Sequence, residues 1–250
     1  MIATWRIPMS IISIRNAGTC SHSPARSPSA TSPGLKRAVR GRVSFQTRQE
    51  TLVYVGMKNE KGENGNMKNM KVDPAHTFVT SDHHFCSFGC LLKRTTEEED
   101  AQHVATWNEV VGKDDLVLYV GDFADTRAIK DLMELRKNLN GRIVLIKGNH
   151  DENLNNHDIT DEYLKLIFED VVDGIVLEDL GVQLMHSPNS SLRRPEMKLI
   201  HGHTHTQIEE YPTVTSTSFC CCACRHDWKP VRLLDALKAM ELVSARDEEV

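Results

Sequence analysis

The sequence lacks a membrane-spanning segment and a regular cysteine framework. No run of about 18 apolar residues occurs, which excludes a transmembrane helix. The chain has seven cysteines in 250 residues, and four of them lie between 220 and 224. An odd, clustered set in a chain of this length does not indicate a disulfide scaffold, so we expect a reducing compartment. The remaining composition, 40% hydrophobic and 26% charged, is typical of a globular protein.

Acidic residues are absent from residues 1–49, which carry eight basic residues, whereas the rest of the chain carries 22 basic and 35 acidic residues. Because this segment is rich in Ser, Arg and Pro and has little apolar periodicity, we predict a disordered basic tail over residues 1–56. Three interpretations stay open: an organelle transit peptide, an RNA-binding arm, or upstream sequence translated from a misplaced start. The predicted location is cytoplasmic, or organellar if the tail is a transit peptide.

The composition changes again after the tail. Residues 57–75 are rich in Gly, Asn and Lys and are predicted to be a linker, and residues 76–250 are predicted to be the folded domain. The domain alternates strands and helices in its first half and is mostly strand in its second half, which favours a layered α/β fold. Strands are predicted over or near 76–80, 115–120, 142–146, 173–178, 181–186, 197–202 and 213–224. Helices are predicted near 96–112, where Thr95 and Thr96 each offer a capping box, from Asp125 or Thr126, near 160–168, and after Pro230.

Five polar clusters each follow an apolar strand, where α/β sheets place their ligands. They are Ser81-Asp82-His83-His84, Gly121-Asp122, Gly148-Asn149-His150-Asp151, Met185-His186-Ser187 and Gly202-His203-Thr204-His205. Carboxylate, imidazole and amide donors without a thiolate suit Mn²⁺, Fe, Zn²⁺ or Ni²⁺ rather than Ca²⁺. The adjacent His150 and Asp151 have the makings of a general acid oriented by a carboxylate.

The order of these clusters resembles the calcineurin-like metallophosphoesterase superfamily, whose pattern is D-x-H, G-D, G-N-H-D/E, a single H, and G-H-x-H. The segments Thr80–Phe85, Trp107–Val111, Asp115–Ala124 and His201–His205 are similar to small bacterial and phage-type members. The resemblance implies an α/β fold in which two facing mixed β-sheets are sandwiched by helices in four layers. It also implies two divalent metal ions at the C-terminal ends of the strands, with Mn²⁺ the expected metal.

The same resemblance assigns roles to individual residues. It implies that Asp82, His84 and His205 bind one metal, that Asn149, His186 and His203 bind the other, and that Asp122 bridges both. His150 is then the general acid beside the leaving-group oxygen, and Asp151 orients it. His83 lies between two ligands and is expected to face the other way as a structural residue.

These roles predict a hydrolase that acts on phosphomonoesters or phosphodiesters through a metal-bridging hydroxide. The acidic domain disfavours long duplex substrates, so a small phosphoester is the expected substrate, while nucleic acid as a partner and the oligomeric state stay open. The first alternative is a metal-binding scaffold of the same fold that has lost catalysis. The second is an RNA-associated factor that uses the basic tail.

Two further features have competing interpretations. Cys86, Cys90, Cys221 and Cys224 are either ligands of a zinc site or, around residues 219–224, small apolar residues of a buried strand. The paired arginines 193 and 194 either contact substrate phosphate or lie in a solvated loop. Small phage-type members often carry Phe-Gly-His after the first motif, and here Phe88-Gly89-Cys90 replaces it, which affects a substrate-side contact.

Overall fold

A computed structural model of the chain describes residues 53–58, 64–87, 95–126, 128–154 and 159–247, all within one unit, Arg48–Val250. Residues 1–52 of the predicted tail lie outside the described residues, so its three interpretations stay predictions. Its last four residues, 53–56, are not disordered as predicted but belong to a strand, Val53–Lys58. The strands are β1 (Val53–Lys58), β2 (Asn64–Asn69), β3 (Thr77–Thr80), β4 (Leu116–Val120), β5 (Arg142–Ile146), β6 (Asp170–Val172), β7 (Gly174–Leu177), β8 (Val182–Met185), β9 (Lys198–His201), β10 (Ser218–Cys220) and β11 (Val231–Arg232). The helices are α1 (Glu97–Val110), α2 (Ile129–Asn138), α3 (Asn149–Leu154), α4 (Asp161–Leu164) and α5 (Leu233–Asp247).

The strands form two mixed sheets. The first has six strands in the order β1-β2-β7-β8-β9-β10, and the second has five in the order β11-β3-β4-β5-β6. In the five-stranded sheet β3, β4, β5 and β6 run parallel, and β11 is antiparallel to β3. The predicted α/β fold with two mixed sheets and helices is therefore confirmed.

The two sheets face each other across an apolar core, and β4 illustrates why. Alternate side chains of this strand belong to different clusters: Leu118 and Val120 join the core between the sheets, and Val117 and Tyr119 join the core on the outer face. A strand buried on both faces reads as a continuous apolar run, as LVLYV does. Trp107 of α1 and Leu132 of α2 cover the outer face of this sheet.

The predicted linker over 57–75 is corrected by the structure. Residues 64–69 form β2, which pairs parallel to β7 and antiparallel to β1. Met67 is buried, and the buried ammonium of Lys68 lies 2.6 Å from Asp170 Oδ2. The Gly- and Asn-rich composition of this segment gave no strand pattern. Lys68 also resembled an exposed linker charge, because its partner Asp170 in β6 is distant in sequence.

Other sequence predictions met different outcomes. The capping box is confirmed, because Thr96 Oγ1 accepts from the Glu99 amide and the Glu99 carboxylate accepts from the Thr96 amide. The predicted side-chain cap of α2 is wrong: Ala128 occupies the cap position, and Asp125 is engaged elsewhere. The long strand predicted over 213–224 is reduced to β10 and a 3₁₀ turn that begins at Ala223.

Candidate metal centre

The predicted ligands meet where β3, β4, β5, β8 and β9 end. We call Asp82, His84 and His205 the first cluster; one donor atom from each lies within 4.8 Å of the others. His84 Nε2 is 3.2 Å from His205 Nε2, and His205 Nε2 is 3.3 Å from Asp82 Oδ1. The first and last motifs, 121 residues apart in sequence, therefore present their side chains to one point.

Asp122, His186 and His203 form the second cluster under the same 4.8 Å limit. His186 Nε2 lies 3.3 Å from Asp122 Oδ2, 3.2 Å from His203 Nδ1 and 3.2 Å from the amide oxygen of Asn149. The carboxylate of Asp122 also reaches the first cluster, because its Oδ2 is 3.8 Å from His84 Nε2. Asp122 thus lies between the two groups of donors, which is the position its predicted bridging role requires.

Hydrogen bonds behind two of the histidines fix which ring nitrogen faces the centre. His84 Nδ1 lies 3.2 Å from Asp125 Oδ1, and His186 Nδ1 lies 2.9 Å from the Val120 carbonyl oxygen. Both partners only accept, so each neutral ring carries its proton on Nδ1 and presents a lone pair at Nε2. Each Nε2 lies 3.2 Å from a ring nitrogen of another histidine. Imidazole nitrogens that converge this closely with carboxylates and an amide oxygen form a donor set that fits divalent metal ions.

The motif glycines explain how the ligand loops approach so closely. A Cβ at Gly148 would collide with the Asp122 carboxylate, and a Cβ at Gly202 would collide with Asp82 and Ser81. The ligands themselves have strained backbones with positive φ, at Asp82 (59°), His84 (50°), Asp122 (58°), His203 (69°) and His205 (38°). Such conformations in non-glycine residues cluster at functional sites, where the surrounding structure holds them.

Asp122 and His186 of the second cluster shift each other's pKa in opposite directions. Burial acts to raise the pKa of Asp122, but the hydrogen bond and charge of His186 lower it to about 2. Burial acts to lower the pKa of His186, but the hydrogen bond and charge of Asp122 raise it to about 9. The Asp122 carboxylate is therefore stabilised by positive charge placed next to it in the second cluster.

His150 lies beside this centre, but the predicted role of Asp151 is corrected. The carboxylate next to the His150 ring is that of Asp125, whose Oδ1 is 2.7 Å from Nδ1. Asp151 is buried and instead accepts the backbone N–H groups of Asp122, Phe123 and Gly148. Burial, followed by the charge of Asp122, raises the pKa of Asp151 to about 7. Asp151 thus holds the strand-end loops together and does not orient the imidazole.

Asp125 is the functional residue that the sequence interpretation missed. Its Oδ1 contacts both His84 Nδ1 and His150 Nδ1. Burial acts to raise the pKa of Asp125, but hydrogen bonds from His150 and His84 hold it well below its ordinary value. The available signal was its place three residues after Asp122, on the same strand-end loop.

His83 faces away from both clusters, as expected of a structural residue. Its ring stacks on Phe85 at 4.8 Å between centroids, and its Nδ1 is 3.0 Å from the Tyr119 hydroxyl. Burial, followed by the charge of His103, lowers the pKa of His83 to about 3. The ring is therefore neutral in the folded protein at every pH at which the protein is handled.

We expect the metal-free protein to lose stability in mild acid because of His83. Below its unfolded pKa of 6.5 the unfolded chain takes up a proton that the folded ring refuses until pH 3, so stability falls as the pH falls. This one group is expected to lower the free energy of unfolding by about 2 kcal/mol at pH 5 relative to pH 7. Urea unfolding of the EDTA-treated protein at both pH values measures the loss.

The variant His83→Phe keeps a ring against Phe85 and is expected to show a smaller acid loss by about the same amount. The matched control is His76→Phe, because the His76 side chain is exposed. An equal acid loss in His83→Phe and the wild type would contradict the assignment.

A cavity of about 510 Å³ opens beside the second cluster. Asn149, His186 and His203 line one side of it, and three serines, Ser187, Ser190 and Ser191, line another. Its volume lies within the range of small-molecule sites, about 300–1,000 Å³. The open space next to the donors is therefore large enough for a small ester.

The remaining sequence candidates belong neither to the two clusters nor to the lining of the cavity. Neither Arg193 nor Arg194 lines the cavity, and Arg194 Nη1 pairs with Glu178 Oε1 at 2.7 Å. Cys86 and Cys221 belong to different apolar cores, and no group of metal donors among the described residues contains a cysteine. This geometry favours the interpretation of Cys221 as a small buried residue, and Cys90 lies outside the described residues.

Comparisons with known proteins agree with the architecture and the motifs. The family model of calcineurin-like phosphoesterases matches residues 75–211, more than half of the chain. The class that the fold and the matched family model define is thus a calcineurin-like phosphoesterase fold, and the chain belongs to the calcineurin-like phosphoesterase family. None of the helices in the described ranges is long and apolar enough to cross a bilayer.

Individual relatives are more distant. An uncharacterised protein of Methanocaldococcus jannaschii is 30% identical over 146 residues, which cover 55% of this chain and 74% of that protein. The gene 66 protein of Mycobacterium phage L5 is 31% identical over 165 residues, which cover 54% of this chain and 79% of that protein. The crystal structure of a protein of unknown function from Aquifex aeolicus aligns with a TM-score of 0.45 and 22% identity, covering 64% of this chain and 98% of that one.

Proposed function

We propose that this protein is a two-metal phosphoesterase that hydrolyses small phosphomonoesters or phosphodiesters. The observation that carries the proposal is the convergence of imidazole nitrogens and carboxylates on two adjacent points that share Asp122. Asp82, His84 and His205 would hold one divalent ion, and Asn149, His186 and His203 the other. Two such ions would supply positive charge for the phosphoryl oxygens and a water whose pKa lies near neutrality.

His150 and Asp125 are proposed to handle the leaving group. The imidazole of His150 is partly exposed at the edge of the centre, and the orientation of its ring is fixed because Asp125 contacts Nδ1. A proton on Nε2 would then face the substrate and pass to the departing oxygen. Since Asp125 is also hydrogen-bonded to His84, this carboxylate fixes the position of the proton donor relative to the first cluster.

The substrate is proposed to place its organic group in the cavity next to the second cluster. Serine hydroxyls and the side chain of Leu192 line this cavity together with Lys147 and Asp173. The Lys147 ammonium is 3.0 Å from Asp161 and 3.3 Å from Asp173, so its charge is already balanced. Such a lining suits a small ester with an uncharged substituent better than a nucleic-acid backbone, which requires clustered cations.

The decisive experiment measures hydrolysis of p-nitrophenyl phosphate and bis-p-nitrophenyl phosphate by the full chain. The protein is stripped with EDTA and then supplied with Mn²⁺, the proposed metal, or with Fe²⁺, Zn²⁺ or Ni²⁺. We expect no turnover without metal and restored turnover with Mn²⁺, and the preferred ester separates a phosphatase from a phosphodiesterase.

The alternative function is a metal-binding scaffold without catalysis. It predicts that the protein binds two Mn²⁺ ions and turns over neither ester with any of the four metals. That result, obtained with natural phosphomonoesters and cyclic nucleotides as well as aryl esters, would refute the hydrolase proposal. Protein that binds no divalent metal at all would refute both.

A further inference from the structure

The chain between β10 and β11 lies directly behind the first cluster. The guanidinium of Arg225 donates through Nε to the carbonyl oxygen of His205. Its Nη1 donates to the Tyr211 carbonyl oxygen at 2.6 Å, and its Nη2 lies 3.3 Å from the Thr204 carbonyl oxygen and 3.1 Å from Thr204 Oγ1. One side chain thus ties down three carbonyl groups of the loop that carries His205.

A thiol from the same segment contacts the carboxylate of the first cluster. Cys222 Sγ lies 3.2 Å from Asp82 Oδ2 and is the donor of that pair, because a carboxylate only accepts. The backbone N–H of His203 also donates to this carboxylate, at 3.0 Å to the same oxygen. Asp82 and Cys222 are both buried, so the thiol is enclosed with its acceptor.

Backbone hydrogen bonds fix the segment itself between the two ligand loops. The Ala223 N–H donates to the Ser81 carbonyl oxygen at 3.0 Å, and the Cys221 N–H donates to the His201 carbonyl oxygen at 2.8 Å. The first and last ligand motifs are therefore both anchored to one short stretch of chain. The strained backbone of His205, with φ of 38°, is held by the hydrogen bond that its carbonyl oxygen accepts from Arg225 Nε.

We propose that Arg225 and Cys222 are positioning residues for the first cluster. They set the metal affinity of that cluster and have little effect on the metal affinity of the second. The inference rests on the proposed two-metal function. The second cluster has its own supports: the Val120 carbonyl fixes His186, and the His150 N–H fixes Asp122. Removing a group that orients metal ligands typically weakens metal binding about 10- to 100-fold.

Calorimetric titration of EDTA-stripped full-length protein with Mn²⁺ tests this inference. The wild type is expected to bind two ions. Arg225→Lys keeps the charge but places all its N–H donors on one nitrogen, which cannot span the three carbonyl groups that the guanidinium reaches through three nitrogens. We therefore expect one site to weaken at least about tenfold and the other to change little. Mn²⁺ is then added until the tight site is full, and one further equivalent is supplied. At this point electron paramagnetic resonance should show isolated Mn²⁺ in Arg225→Lys, whereas the wild type should show a coupled pair of ions.

The two cysteine variants keep the test decisive if Arg225→Lys does not fold. Cys222→Ser retains a donor to Asp82 and is expected to bind both ions, whereas Cys222→Ala is expected to weaken one site about tenfold. Arg142→Lys is the control, because Arg142 pairs with Glu169 on the surface. Two unchanged sites in folded Cys222→Ala and Arg225→Lys, or equal weakening of both sites, would overturn the inference. Wild-type protein that binds no Mn²⁺ would instead overturn the proposed function.

Discussion

Asp122→Asn is expected to lower kcat for aryl phosphate hydrolysis about a thousandfold or more, equivalent to about 4 kcal/mol of transition-state stabilisation. The reason is position: the Oδ2 atom of Asp122 is 3.3 Å from His186 Nε2 and 3.8 Å from His84 Nε2, so it faces both clusters. An amide has the same shape but no charge, and its NH₂ group would direct hydrogen atoms at the centre. Loss of a shared anion weakens the hold on both ions together.

This prediction separates a bridging role from a structural one. Asp122 Oδ1 accepts the His150 N–H at 2.9 Å, a bond that the amide oxygen of Asn can retain, so the loop is expected to fold. Metal analysis should show fewer than two bound ions in Asp122→Asn, and steady-state kinetics at saturating Mn²⁺ measures kcat. Asp114→Asn, at an exposed acid outside the centre, serves as the control. A variant that keeps more than about a tenth of wild-type kcat would show that Asp122 is not the shared ligand.

The candidate ligands could be predicted to lie near one another because the fold brings the strand ends together. Asp82, Asp122 and Asn149 follow β3, β4 and β5, which are adjacent and parallel in one sheet. Parallel neighbours bring their C-terminal ends to one edge, so three short motifs that are weak singly become specific in combination. The distances between ligands could not be predicted, because they depend on how the two sheets pack.

The roles of Asp125 and Lys68 could not be predicted from the sequence, and the physical reason is the same for both. Asp125 and Lys68 each have an obvious local meaning, a helix cap for Asp125 and a solvated linker charge for Lys68. Their actual partners are distant in sequence: His84 and His150 for Asp125, and Asp170 for Lys68. Local patterns predict elements and motif positions, whereas the pairing of a buried polar side chain is decided by tertiary contacts. Asp151 was misassigned for the converse reason, since its neighbour in sequence is not its neighbour in space.

The pair of His150 and Asp125 carries the second large prediction. His150→Gln is expected to lower kcat about a hundredfold or more for an alkyl phosphate, whose leaving oxygen needs a proton, and much less for p-nitrophenyl phosphate, which leaves as a stable anion. A purely structural role for His150 would reduce both rates alike. His76→Gln, at an exposed histidine, provides the matched control.

Asp125→Asn should reproduce part of that loss. The Asp125 carboxylate lies 2.7 Å from His150 Nδ1 and fixes the orientation of the imidazole. An amide at this position carries no charge, so its hold on the proton-donating ring is weaker. Because one step depends on both residues, the double variant should be little slower than His150→Gln alone in hydrolysis of the alkyl phosphate. Additive losses would mean that Asp125 supports only the candidate ligand His84, through its 3.2 Å contact, and takes no part in proton transfer.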